Sequence, residues 1–100
     1  MKNIMKELGF DYEGQEGKKN SYVVDLGSDE EFGKVYSSLE TNEDVEQMED
    51  NVLLTVHNAS LLYLYKDRYQ INLKGNFDTE EYSVVITDIE EIDNDKDDNN

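Results

Sequence analysis

The chain has no cysteine, so it offers neither a disulfide nor a thiolate metal site, and a reducing compartment suits it. It has one histidine, His57, and one arginine, Arg68. Without a thiol, nucleophilic catalysis would need a serine paired with His57. That residue falls between a strand and a turn, and no Gly-x-Ser-x-Gly elbow occurs anywhere. No Gly-rich loop or arginine cluster suggests a phosphate substrate, and no enzymatic activity or cofactor is expected. No apolar run approaches the roughly 18 residues that cross a bilayer. The first residues, Met1 to Lys6, run into Glu7 without the apolar stretch of a signal peptide, so a cytoplasmic location and no membrane partner are expected.

Positive charge is the scarcest commodity. Twenty-five acids face nine bases, a net charge of −16. Residues 93–100, "DNDKDDNN", hold no apolar residue and read as a disordered acidic tail. Leaving that tail out removes four acids and one base, and residues 1–92 still carry −13. These residues are expected to form a single domain, large enough for one modest core. Self-repulsion on this scale works against folding. Solubility alone could explain the charge; a role in binding is the alternative.

The acids are unevenly placed. Residues 28–50 carry nine acids and one lysine, and residues 78–98 carry ten acids and one lysine. The densest stretch, "TNEDVEQMED" over 41–50, follows Glu40 and contains Glu43, Asp44, Glu46, Glu49 and Asp50, interrupted by Val45 and Met48. Asp29, Glu30 and Glu31 form a second group, at the expected start of a helix. Contact with nucleic acid is disfavoured, because phosphates are bound by Lys and Arg. The tail starts like an EF-hand loop at Asp93, Asp95 and Asp97. It has Asp98 where the loop needs glycine and ends before the required glutamate, so no specific metal site is expected.

Periodicity supplies the elements. Residues 2–8 place Met1, Ile4, Met5 and Leu8 on one face before Gly9, which predicts a short helix. Residues 11–20 read as a loop and 21–26, "SYVVDL", as a strand. Ser28 and Glu31 form a capping-box pair ahead of Phe32, Val35, Tyr36 and Leu39, a helical apolar stripe. Strands are expected at 51–57, 60–66, 68–74 and 81–91, with turns at 57–59, at Asp67 and at Gly75-Asn76. Segment 43–49 suits a helical turn or an edge strand, the latter favoured by the β-like residues after it. The sum is an α+β domain: one or two short helices on one face of a mainly antiparallel sheet of four to five strands.

In size, acidity, lack of cysteine and helix–sheet make-up, the chain resembles the small phage proteins that block host nucleases by imitating nucleic acid. Anti-CRISPR proteins that fill the nucleic-acid groove of an effector are one such group. The order helix, strand, helix, antiparallel strands is also similar to the phage inhibitors of uracil-DNA glycosylase. There "NSYVVDLGSDEE" takes the place of the family's enzyme-binding strand and helix start, with Ser21, Asp29, Glu30 and Glu31 at the corresponding positions and Asn20 where the family has an acid. The resemblance implies an inhibitor whose partner is a basic nucleic-acid-binding protein, a CRISPR effector nuclease or a DNA repair enzyme. The expected contact residues are Asp29, Glu30, Glu31, Glu40, Glu43, Asp44, Glu46, Glu49 and Asp50. The competing expectation is an interaction module without a nucleic-acid-handling target, such as a toxin-immunity partner or a small assembly factor. Its contacts would run through the apolar strand face or an exposed edge, for example Tyr63, Tyr65 and Tyr69.

Overall fold

A computed structural model describes residues 3–18, 20–48 and 53–90. The segment 91–100, with the expected acidic tail, lies outside the described residues, as do Glu49 and Asp50.

The chain begins with helix α1, Ile4–Glu7, whose Ile4 and Met5 are buried. Gly9 ends it at φ +99°, a backbone conformation that costs glycine little and other residues much. Strand β1, Gln15–Glu16, lies inside the stretch expected to be a plain loop, and it pairs with β2, Ser21–Leu26. Helix α2, Asp29–Thr41, follows. Next come β3 (Val45–Gln47), β4 (Leu53–Leu54), β5 (Asn58–Tyr65), β6 (Tyr69–Asn76) and β7 (Glu81–Asp88).

All pairings are antiparallel, in the order β1-β2-β7-β6-β5-β3, with β4 also on β5. The fold is the expected α+β arrangement. Its sheet is larger than the expected four to five strands. Seven strands fill six positions, because β3 and β4 cover different halves of one edge of β5. The edge-strand reading of 43–49 holds for Val45–Gln47, where Val45 packs against the core and Met48 N–H donates to Leu62 O at 2.8 Å.

Burial alternates strictly along the three long strands, as an antiparallel sheet with one covered face requires. Val24, Tyr63, Ile71, Leu73, Val84 and Ile86 point toward the helices and are fully buried together with Met5, Val35 and Leu39. Ser38 Oγ on α2 donates to Leu8 O at 3.1 Å and ties the two helices together. Of the expected α2 stripe, Tyr36 sits at the margin and is exposed.

Two local expectations are corrected. The expected strand 51–57 stops at Leu54 among the described residues. Thr55 Oγ1 accepts from both His57 N and Asn58 N, at 3.2 and 2.9 Å, and this side-chain bonding bends the backbone into a turn. Gly75 and Asn76 lie in β6 rather than in a turn, which falls after them. Gly75 faces inward under the Phe32 ring: a Cβ there would stand 3.0 Å from Tyr82 Cδ1 and 3.1 Å from Phe32 Cε2. The glycine serves close packing, not chain reversal.

Candidate protein-binding surface

Helix α2 distributes the acids. It is 13 residues long, so its ends are separated by about 20 Å. At its start Ser28 is the N-cap, extended in backbone, with Oγ accepting from Glu31 N at 3.3 Å. Asp29, Glu30 and Glu31 then occupy the first turn, where the helix dipole favours anions. The carboxylates of Glu30 and Glu31 lie 3.8 and 3.7 Å from Lys34 Nζ.

The β6–β7 turn joins this group. Phe32 of α2 packs on Phe77 and Tyr82 with ring centroids 5.9 and 5.5 Å apart. That contact puts the Tyr82 hydroxyl within reach of the charges of both Asp29 and Glu80. The Tyr82 hydroxyl is pushed above the ordinary phenol range by burial first, and then by the charges of Asp29 and Glu80. Asp78, on the same turn, sits 2.8 Å from His57 Nδ1. Asp78 and Glu80 were not among the expected contact residues. Their place in the acid-rich segment 78–98 was the only sign of them, since no local pattern tells which helix end a hairpin turn will reach.

A second group gathers where α2 ends. Asn42 Oδ1 accepts from Asp44 N at 2.8 Å, an Asx turn that halts the helix. Asp44 O accepts from Lys66 N at 2.9 Å, fixing this connection to the β5–β6 turn. A shallow cleft between the two is lined by Glu43, Asp44, Glu46 and Asp67, with Lys66 as its only base. Lys66 is itself engaged: its Nζ is 3.2 Å from Glu7 Oε1. Asp67, at φ +55°, is the sequence-expected turn residue but was not foreseen as part of the acidic group.

Glu40 stands at the same helix end, accepting from the Tyr63 hydroxyl at 2.9 Å. Tyr65 likewise donates to Glu7 of α1 at 3.1 Å. These two tyrosines bury their rings under the helices and reach the rim with their hydroxyls. Tyr63 has no exposure and Tyr65 only 3%, which corrects the expectation that a tyrosine face on these strands is open to a partner. Tyr69, half-buried, stacks near Arg68 instead. Burial, then the Glu40 hydrogen bond, raises the Tyr63 phenol far above its ordinary value.

The structure therefore divides the expected contact residues. Asp29, Glu30 and Glu31 belong to one end of α2; Glu40, Glu43, Asp44 and Glu46 to the other. Glu49 and Asp50 lie outside the described residues. Ser21, of the inhibitor-like segment, donates from Oγ to Lys18 O at 2.6 Å. The described residues hold eighteen acids against six lysines and arginines, a net −12. One acid is buried: Asp88, at 3% exposure, receives Arg68 Nε and Nη2 at 3.1 and 2.9 Å. Among the described residues, no cluster of three or more His, Asp or Glu is arranged to hold a metal ion, and no helix is long and apolar enough to cross a membrane. No family model, curated protein or solved structure matches the chain.

Proposed function

We propose that this protein is an inhibitor that binds through its carboxylates in the nucleic-acid groove of a basic protein. The target class is a CRISPR effector nuclease or a DNA repair enzyme such as uracil-DNA glycosylase, met in the cytoplasm of a host cell. The mode of action is occupation of the groove, without catalysis. One observation carries this reading: a body charged −12 holds ten of its eighteen described acids in two groups, one near each end of α2, on backbone fixed by capping and turn hydrogen bonds. Duplex DNA presents about one negative charge per 1.7 Å of axis, and a groove built for it carries a matching positive field. Ordered carboxylates enter that field without first losing the conformational freedom of a flexible acidic chain, and the same field speeds their encounter.

The test uses nucleic-acid-free preparations of a Cas9-type effector and of uracil-DNA glycosylase. Inhibition of at least one is expected, competitive with its DNA and falling steeply with salt. The triple reversal Glu43→Lys, Asp44→Lys and Glu46→Lys should abolish it. Binding that ignores both salt and these reversals would refute the mechanism. Failure to bind either protein would refute the target class.

A further inference from the structure

Two exposed apolar side chains sit together on one turn. Among the described residues, the large apolar groups most open to solvent are Val56, 84% exposed, and Leu54, 69% exposed. Leu54 belongs to the covered face of the sheet: its row runs through Ala59 and Gly75 to Tyr82. Phe32 of α2 closes that row over Gly75 and Tyr82, and the cover stops short of Leu54. The turn that follows is held in shape. Thr55 N donates to Asn58 O at 2.8 Å, and Thr55 Oγ1 accepts from the N–H groups of His57 and Asn58. Phe77 N donates to His57 O at 2.8 Å and ties this turn to the β6–β7 turn, where the Phe77 ring is half-buried. With those backbone donors engaged, the two turns can lose water without stranding them. Apolar groups gathered inside a polar rim mark a contact surface, as isolated ones do not.

We propose that these two turns form a contact surface for an arginine-bearing face of the partner, the guanidinium heads pairing with Asp78 and Glu80 while the alkyl stems cover Leu54 and Val56. This rests on the proposed function and names what the target groove presents to this end of α2. Charge selects the occupant. Residues 54–58 and 77–81 contain Asp78, Glu80 and Glu81 and no lysine or arginine. Asp78 is fixed against His57 Nδ1 at 2.8 Å, and Glu80 lies with Asp29 around the Tyr82 hydroxyl. Nucleic acid and anionic lipid are repelled by such a rim, and a wholly apolar partner would bury its carboxylates unpaired. A long cationic side chain satisfies both parts, since its stem lies on apolar surface while its head reaches the acids. Arginine fits better than lysine. Its guanidinium sheds water more readily, pairs with carboxylates through two parallel bonds and stacks on aromatic rings such as that of Phe77.

The experiment follows the amide and methyl NMR signals of the isotope-labelled full chain during titration with tetra-arginine amide and, separately, tetra-lysine amide, up to about 10 mM. Tetra-arginine should shift Leu54, Val56 and Phe77 together and bind there about three- to fivefold more tightly than tetra-lysine. Leu54→Ser with Val56→Ser, both at exposed positions, should erase that preference and leave the weaker tetra-lysine binding in place. Asp78→Asn with Glu80→Gln should weaken both peptides. Equal affinity of the two peptides overturns the proposal. So does an arginine preference that survives the double serine variant, binding indifferent to Asp78→Asn with Glu80→Gln, or shifts confined to Glu43, Asp44 and Glu46. The peptides decide this whatever the target is. If neither target protein binds, the target class falls and the peptide result stands. If a target is inhibited equally well by the double serine variant, the patch falls and the proposed function stands.

Discussion

Replacing Arg68 by methionine removes both guanidinium hydrogen bonds from a carboxylate at the edge of the core. Asp88 presents only 5% of its side chain to solvent, and its two oxygens accept from Nε and Nη2 of one guanidinium. The Asp88 hydrogen bonds raise the Arg68 guanidinium above its already high value, so the pair stays ionised on the arginine side at any accessible pH. Removing one partner of a fully buried pair costs about 3–5 kcal/mol. The Arg68 side chain is 43% exposed, so solvent screens part of that attraction. A loss of about 2–3 kcal/mol follows for Arg68→Met. A domain of this size has about 5–15 kcal/mol in total and shifts about 4–8 °C per kcal/mol, so the melting temperature should fall by roughly 10–20 °C.

The pH dependence identifies the cause. The guanidinium stabilises the ionised form of the Asp88 carboxyl only, so its removal costs most where that group is charged. The gap between Arg68→Met and the parent should therefore be widest near neutral pH and narrow toward pH 4. Urea unfolding at several pH values, followed by circular dichroism, measures it. A gap below about 1 kcal/mol at pH 7, or one that does not change with pH, would refute the reasoning.

Two further outcomes follow from the same contacts. The Tyr63, Tyr65 and Tyr82 phenols are all raised, in each case by burial first, so stability is complete below the unfolded tyrosine value of about 10 and falls as pH rises above it. The ultraviolet signal of tyrosine ionisation should then show a late phase coinciding with unfolding, and a single gradual titration of all seven tyrosines would contradict it. Ser28→Ala removes the N-cap acceptor of α2 and should cost about 1 kcal/mol in denaturant unfolding, with Ser28→Asp recovering most of it.

Short-range chemistry was legible in the chain. Strand Ser21–Leu26 and the Ser28 cap stand where a Tyr- and Val-rich run and the Ser28–Glu31 spacing place them, because each rests on neighbours within a few residues. The α+β class followed from the order of such patterns. Segments whose fate lies in distant partners were not legible. Gly75 reads as a turn residue until the Phe32 ring, over forty positions away in sequence, is laid over it. The turn at 55–58 depends on a threonine hydroxyl taking over backbone bonds that a strand could equally have used.

The candidate surface divides in the same way. The sequence by itself determined the sign and quantity of charge, and which two segments hold most of it, since ionisation of exposed carboxylates needs no fold. Tertiary structure alone decided which acids are neighbours. The contact of Phe32 with Phe77 and Tyr82 sets Asp29 and Glu80 around one phenol, and the bond from Lys66 N to Asp44 O carries Asp67 to Glu43. It also decided that Tyr63 and Tyr65 face the helices, and that Val23, Val85, Leu62 and Leu64 face away. A period of two says that alternate residues share a face, but only the packing of α1 and α2 says which face is covered.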